Sequence, residues 1–345
     1  MALWDPDACD LEGEAECMSI EFSSQFEDDV LLHREIGLLL VLCPPSYHAQ
    51  LAVKALGIAK HVYVQPPCAI SATQTLRMLQ SASYYPNLVA VVGTLRSLPA
   101  VQEMKRLMNE NYLGIPLHCD IRLNSPNLVS KSKYSWRCRE DMGGGVLNQL
   151  GFSILDLVLN YLLEQKAVRV HAVFRTLQKN TSQIRGIRHI TADDVASLLI
   201  ETDQNCLITM NLNGCSSTFS QELSISSQNS QLAIREASLY GRKFAVTVDS
   251  NKDMEEIFYL DTNLTSSNRG STNQTELPPV FLEGFSTMFN SLRTIFESLE
   301  SPEKEAKKFN LFASFEESYH ISRVIQAARQ SSLSKTWVNV GSNEN

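Results

Sequence analysis

The chain has 345 residues, enough for two domains of ordinary size that each bury an apolar core. With 43% hydrophobic and 20% charged residues it is not a disordered protein, and a net charge of -8 without any basic run argues against nucleic acid as a partner. The acidic opening lacks the basic and apolar regions of a signal peptide, and the run Leu38 to Cys43 is too short to span a bilayer, so a cytoplasmic chain with no membrane partner is expected.

The first hundred-odd residues alternate short apolar segments with amphipathic ones, the grammar of parallel sheet units. Strands are predicted at Ala2–Trp4, Leu38–Leu42, His61–Val64 and Leu88–Val92, with helices over Ala49–Lys60, Ser71–Ser83 and Val101–Asn109. From Pro116 the pattern becomes longer strands: Leu117–Arg122, Val168–Phe174, Ala196–Thr202, Cys206–Leu212, Glu222–Ser226, Leu232–Arg235, Phe244–Val248 and Ile257–Leu260. Val168, Val170, Ala172 and Phe174 alternate with Arg169 and His171, which marks a mostly antiparallel sheet with one buried face. Residues Thr262 to Leu277 read as a polar loop. Two amphipathic helices follow, one carrying Phe281, Phe285, Phe289, Leu292, Phe296 and Leu299, the other Phe315, Tyr319, Val324, Ile325 and Ala328; such stripes are core.

Eight cysteines show neither a C-x-x-C pair nor metal-like spacing, and buried free thiols are expected. No metal site follows. Sequons at Asn180, Asn263 and Asn273 do not exceed chance for this composition.

Two stretches carry a resemblance. The first is Cys43-Pro44-Pro45-Ser46-Tyr47-His48, then a helix, then Gly57-Ile58-Ala59-Lys60-His61-Val62-Tyr63-Val64-Gln65-Pro66-Pro67. The second is Trp136-Arg137 followed by Gly143-Gly144-Gly145-Val146-Leu147-Asn148-Gln149-Leu150-Gly151-Phe152-Ser153. In this order they resemble the Gfo/Idh/MocA oxidoreductase family. Within it, Ser83-Tyr84-Tyr85-Pro86 and the run from Ile184 to Asp194 are most similar to the vertebrate glucose-fructose oxidoreductase domain-containing group. The resemblance implies α/β plus α+β architecture: a Rossmann-like dinucleotide-binding domain over 1–115, then a mostly antiparallel β-sheet domain over 116–345 with helices on one face. It also implies a homodimer through the outer face of the C-terminal sheet, between Ala196 and Val248. Some members of the vertebrate group are placed outside the cell, which keeps an extracellular alternative open.

Against that pattern the chain departs at every chemical position. No G-x-G-x-x-G occurs, and Ala2-Leu3-Trp4-Asp5 corresponds to the family's second strand, so the first βα unit and its Gly-rich loop are missing from the match. The segment Ala2–Trp4 is then expected to close directly onto Leu38–Leu42. Asp5 falls where an acidic residue would hold a ribose, although a surface carboxylate is the plainer reading. Hydride transfer from a sugar carbon needs a base and a cation to steady the alkoxide. The family's Lys, Asp and His positions are here Pro66, Gln149 and Ser153, none of which titrates near neutral pH.

The vestigial cofactor-facing positions are Asp5, Pro44, Pro45, His48 and Gln65. His48 is either a packing histidine or a catalytic one without a partner. Trp136 and Arg137 could line a ligand cleft, or Arg137 pairs with Glu140 or Asp141. The stripe Gln149, Ser153, Asp156, Asn160 is a polar cleft wall or a solvated face. No bound cofactor is expected, NAD(P) being the ancestral one. The expected function is a non-catalytic homologue acting as a binding or assembly module. The alternatives are a weak NAD(P)-dependent oxidoreductase of a sugar or polyol, its cofactor site completed by a longer form or a partner, and a chain whose missing unit is encoded upstream of Met1.

Overall fold

Leucine- and valine-rich segments punctuated by prolines build a parallel sheet first. The order is β1 (Ala2–Leu3), α1 (Leu11–Cys17), β2 (Phe22–Ser23), α2 (Glu27–Leu31), β3 (Leu38–Val41), α3 (Pro45–Gly57), β4 (His61–Val64), α4 (Ala72–Tyr84), β5 (Ala90–Val92) and α5 (Pro99–Asn109). This is a computed structural model, and it describes residues 1–5, 11–126, 134–179, 189–236, 238–243, 279–298 and 309–341. The expected strands Phe244–Val248 and Ile257–Leu260, the loop Thr262–Leu277, the three sequons and Leu299 lie outside the described residues.

The second half continues with β6 (His118–Pro126), then α6 (Phe152–Leu155), which lies between wider π-type turns over Leu147–Gly151 and Asp156–Leu162. These three pieces form one central helix. After it come β7 (Ala167–Arg175), β8 (Val195–Thr202), β9 (Leu207–Ser216), β10 (Ser220–Ser226), β11 (Ser230–Arg235), β12 (Ser238–Lys243), α7 (Pro279–Ser298), β13 (Ala313–Ser314), α8 (Phe315–Ser334) and β14 (Val338–Asn339).

The strands form three sheets. One is the four-stranded sheet β13-β5-β4-β3, one the pair β1-β2, and one an eight-stranded sheet ordered β12-β11-β10-β6-β9-β8-β7-β14. Within the last, β6 and β9 run parallel and the other pairs are antiparallel, as the alternation predicted.

Alternating residues of β4 and β5 face opposite layers. Val62, Val64 and Val92 join the core that α3 and α4 cover, while Tyr63 and Val91 pack with Met288, Leu292 and Ile295 of α7. Both faces are therefore buried, which is why these strands read as nearly continuous apolar runs. Ser71 caps α4 by accepting from the Gln74 N–H at 3.3 Å, and Ser314 and Glu317 form a reciprocal capping box on α8.

The expected strand closure is corrected here. β1 does not close onto β3; it pairs in parallel with β2 (Ala2 opposite Phe22), and among the described residues β3 pairs only with β4. Two-residue strands flanked by short acidic helices carry too little periodicity for β2 to be seen in the sequence. Across residue 115, β13 returns to pair antiparallel with β5, and α8 packs on both α4 and β7. Finally, the segment Glu140–Leu162 is apolar and long enough to cross a membrane, so Leu38–Cys43 was not the relevant stretch; with 78% of its apolar window buried, it is the central helix of the core.

Candidate functional site

The carboxyl ends of β3 and β4 meet the start of the central helix, and this is where the family-like positions gather. Pro45 is the first residue of α3 and Pro44 its cap, so the helix opens with no side-chain cap. His48, one turn in, is fully buried. Its Nε2 lies 2.7 Å from the Cys43 carbonyl oxygen and its Nδ1 3.0 Å from that of Pro67. Burial lowers the proton affinity of His48, and the surrounding carbonyls oppose this only in part. The ring staples the turn after β3 to the turn after β4.

Gln65 is used in the same way: its Nε2 donates to the Leu42 oxygen at 2.7 Å and to the Cys43 oxygen at 3.2 Å. Pro66, which follows, joins Pro67 through a cis bond. On the central helix, Ser153 is buried, and the Gln149 Nε2 is buried without a hydrogen-bond partner among the described residues. Asp5 sits half-buried after β1, and Trp4 meets Tyr47 of α3 edge-on with ring centroids 6.1 Å apart.

The Gly-Gly-Gly turn is held by tight contact. Gly143 has φ +89° and a Cβ there would lie 2.7 Å from the Pro45 Cβ; Gly145 has φ +103° and its Cβ would overlap the Asp193 carboxylate. Asp193 caps the central helix: its Oδ2 accepts from the Leu147 N–H at 2.9 Å and its backbone oxygen from the Val146 N–H at 2.8 Å. Sequence reasoning placed Asp193 only within a matching run and gave it no role; an acid 46 residues downstream leaves no local signal.

Asp156 and Asn160 belong neither to a cleft wall nor to a solvated face. Asp156 is buried in a two-pronged pair with Arg96, at 3.1 Å to Nε and 2.7 Å to Nη2, and the same Nη2 reaches Glu317 of α8 at 2.8 Å. Asn160 donates to Asp156 at 3.0 Å and accepts from His320 Nδ1 at 3.0 Å. His320 Nε2 in turn accepts from the Ala167 N–H at 3.3 Å, which fixes the neutral tautomer.

Burial, helped by Lys166 and Arg323, pushes His320 down to about 4. A histidine whose folded pKa lies below its unfolded value keeps stability above the unfolded pKa and loses it as pH falls. We expect melting temperature to drop between pH 6.5 and about 4, and His320→Gln to flatten that slope; an unchanged slope in the variant would remove His320 as its source.

Arg137 pairs with neither Glu140 nor Asp141. Asp141 takes Arg139, Glu140 takes Arg329 of α8 at 2.6 Å, and the exposed Arg137 stacks on Trp136 at 4.9 Å. A cleft of about 640 Å³ opens beside the glycine turn, lined by Tyr134, Arg139, Glu140, Asn148 and Arg329 among others. Trp136 and Arg137 are not among its lining residues. Among the described residues no group of His, Cys, Asp and Glu could hold a metal ion, and seven cysteines are free.

Residues 1–93 match the family described as "Oxidoreductase family, NAD-binding Rossmann fold", and residues 101–230 match the "GFO/IDH/MocA C-terminal domain". Glucose-fructose oxidoreductase domain-containing protein 2 of Xenopus laevis is 35% identical over 343 residues, 98% of this chain and 86% of the relative. The chain belongs to the Gfo/Idh/MocA oxidoreductase family. An oxidoreductase domain protein from Kribbella flavida shares the fold at TM-score 0.80 and 19% identity, over 98% of this chain and 89% of that one. Levoglucosan dehydrogenase in complex with NADH and levoglucosan does so at 0.78 and 16%, over 99% and 90%.

Family membership implies a nicotinamide dinucleotide, and neither the turns after β3 and β4 nor the glycine turn fits its pyrophosphate. That group needs clustered backbone N–H donors at a helix opening. Pro44, Pro45, Pro66 and Pro67 remove four such donors at the turns after β3 and β4. At the glycine turn, the N–H groups of Gly143, Gly144, Val146 and Leu147 are already taken by Glu140, Arg139 and Asp193.

Proposed function

We propose that this Gfo/Idh/MocA member is non-catalytic and serves as a binding or assembly module. The observation that carries the reading is the state of the inherited positions: Pro66, Gln149 and Ser153 offer no acid, base or cation, while Gln65 and His48 are spent on strand-end carbonyls. Neutral side chains at these sites cannot remove an alcohol proton or hold an alkoxide. The reducing interior of the cell suits the seven cysteines that are free among the described residues. Titration of the purified protein with NADH, read by coenzyme fluorescence, should show no saturation at micromolar coenzyme. Saturable micromolar binding would instead favour the weak oxidoreductase of a sugar or polyol, the reading that the match of residues 1–93 supports.

We propose also that two copies associate through the outer face of the eight-stranded sheet. On that face Ser197 bonds Asn211 at 2.8 Å, Thr209 bonds Asp120 at 2.6 Å and Arg169 pairs with Glu201 at 2.6 Å, around exposed Val173 and Leu199. Polar rims around a small apolar centre are compatible with a self-complementary interface. Leu199→Arg should convert a dimer to monomers, and sedimentation of the unmodified chain as a monomer at micromolar concentration contradicts the proposal.

A further inference from the structure

On the side of the molecule formed by α4, α8 and β14, Arg323 stacks on the Tyr319 ring of its own helix with the guanidinium carbon 5.6 Å from the centroid. Among the described residues no carboxylate pairs with it, whereas Arg96, Arg106, Arg139, Arg169 and Arg329 all have acidic partners. The guanidinium borders a cavity of about 220 Å³. Thr73, Gln326, Gln330 and Asn339 supply its polar lining, Leu76 and Ala327 an apolar floor, and no acidic residue lines it. At Gly341, φ +100°, any Cβ would overlap the guanidinium, so the backbone there comes right up to Arg323 and walls the cavity.

We infer that this cavity binds a small hydroxycarboxylate. A planar guanidinium with five donors and no acceptor of its own matches a carboxylate in a two-pronged pair, and stacking on Tyr319 holds its plane fixed. A single cation in a chain of net charge -8 suits a monoanion better than a phosphate dianion. The amides and the Thr73 hydroxyl both donate and accept, which suits ligand hydroxyls rather than a bare anion. The cavity shares no lining residue with the cleft at the glycine turn and needs no coenzyme.

Calorimetric titration of the intact protein with glycerate, glycerol and inorganic phosphate tests this. Glycerate should saturate at millimolar concentration, with glycerol and phosphate at least about tenfold weaker, and Arg323→Gln should weaken glycerate about tenfold or more at unchanged melting temperature. Arg323→Lys, which keeps the charge but not the fork, should fall between. Absence of glycerate saturation, equal binding of glycerol, tighter binding of phosphate, or full retention in Arg323→Gln would each overturn the inference.

Discussion

Arg96→Met should destabilise the protein by about 3–5 kcal/mol, because it strands the buried Asp156 carboxylate without its cation. Arg96 sits after β5, Asp156 on the central helix and Glu317 on α8, so one guanidinium ties three elements that are far apart in sequence. It also donates to the Phe312 carbonyl at 2.9 Å, at the entry to β13. Burial raises the proton affinity of Asp156, with Arg96 pulling against it, so removing the arginine leaves desolvation unopposed. The change should therefore be partly rescued by Asp156→Asn, which removes the stranded charge. Urea denaturation of the two single variants and the double variant measures the coupling. Additive losses would mean that the pair contributes nothing beyond its separate parts.

Gly145→Ala is expected to cost about 3 kcal/mol or more, from an alanine forced to a positive φ and from displacement of the Asp193 cap. The new methyl would occupy the position of the Asp193 carboxylate, which holds the Leu147 N–H at the start of the central helix and contacts Arg329 at 3.4 Å. Shortening the acid relieves the overlap. Gly145→Ala combined with Asp193→Ala should thus lose less than the sum of the two single losses, as judged by melting temperature. If Gly145→Ala melts with the parent chain, the turn is more yielding than its contacts imply.

What the sequence made legible followed local physics. The strand His61–Val64 is found at the predicted residues, and the helices beginning near Ser71 and Val101 were placed to within a few positions, because each pairs an apolar period with a clear start signal. The family motifs were legible because glycines and prolines at fixed spacing encode a turn. What stayed hidden was non-local. The partner of Asp156 lies 60 residues upstream, so a helical wheel could only show a polar residue and not an ion pair. A lone arginine in Leu95-Arg96-Ser97-Leu98 was the available hint: a cation within an apolar stretch needs an acid somewhere. On the outward face of β8 and β9 the pairings are equally non-local: Ser197 bonds Asn211 across the two strands, Thr209 reaches Asp120 of β6 and Glu201 pairs with Arg169 of β7.

Initial-rate measurement of NAD(P)+ reduction by the purified chain, over a panel of sugars and polyols, bears most directly on the non-catalytic reading. Loss of a positioned acid and base alone removes about 10²–10⁴ in rate, and here the cation position is held by Pro66 as well. The account predicts no reduction above the blank without protein, for any substrate and either coenzyme. Clear NAD(P)H production that disappears in Gln149→Ala would contradict it.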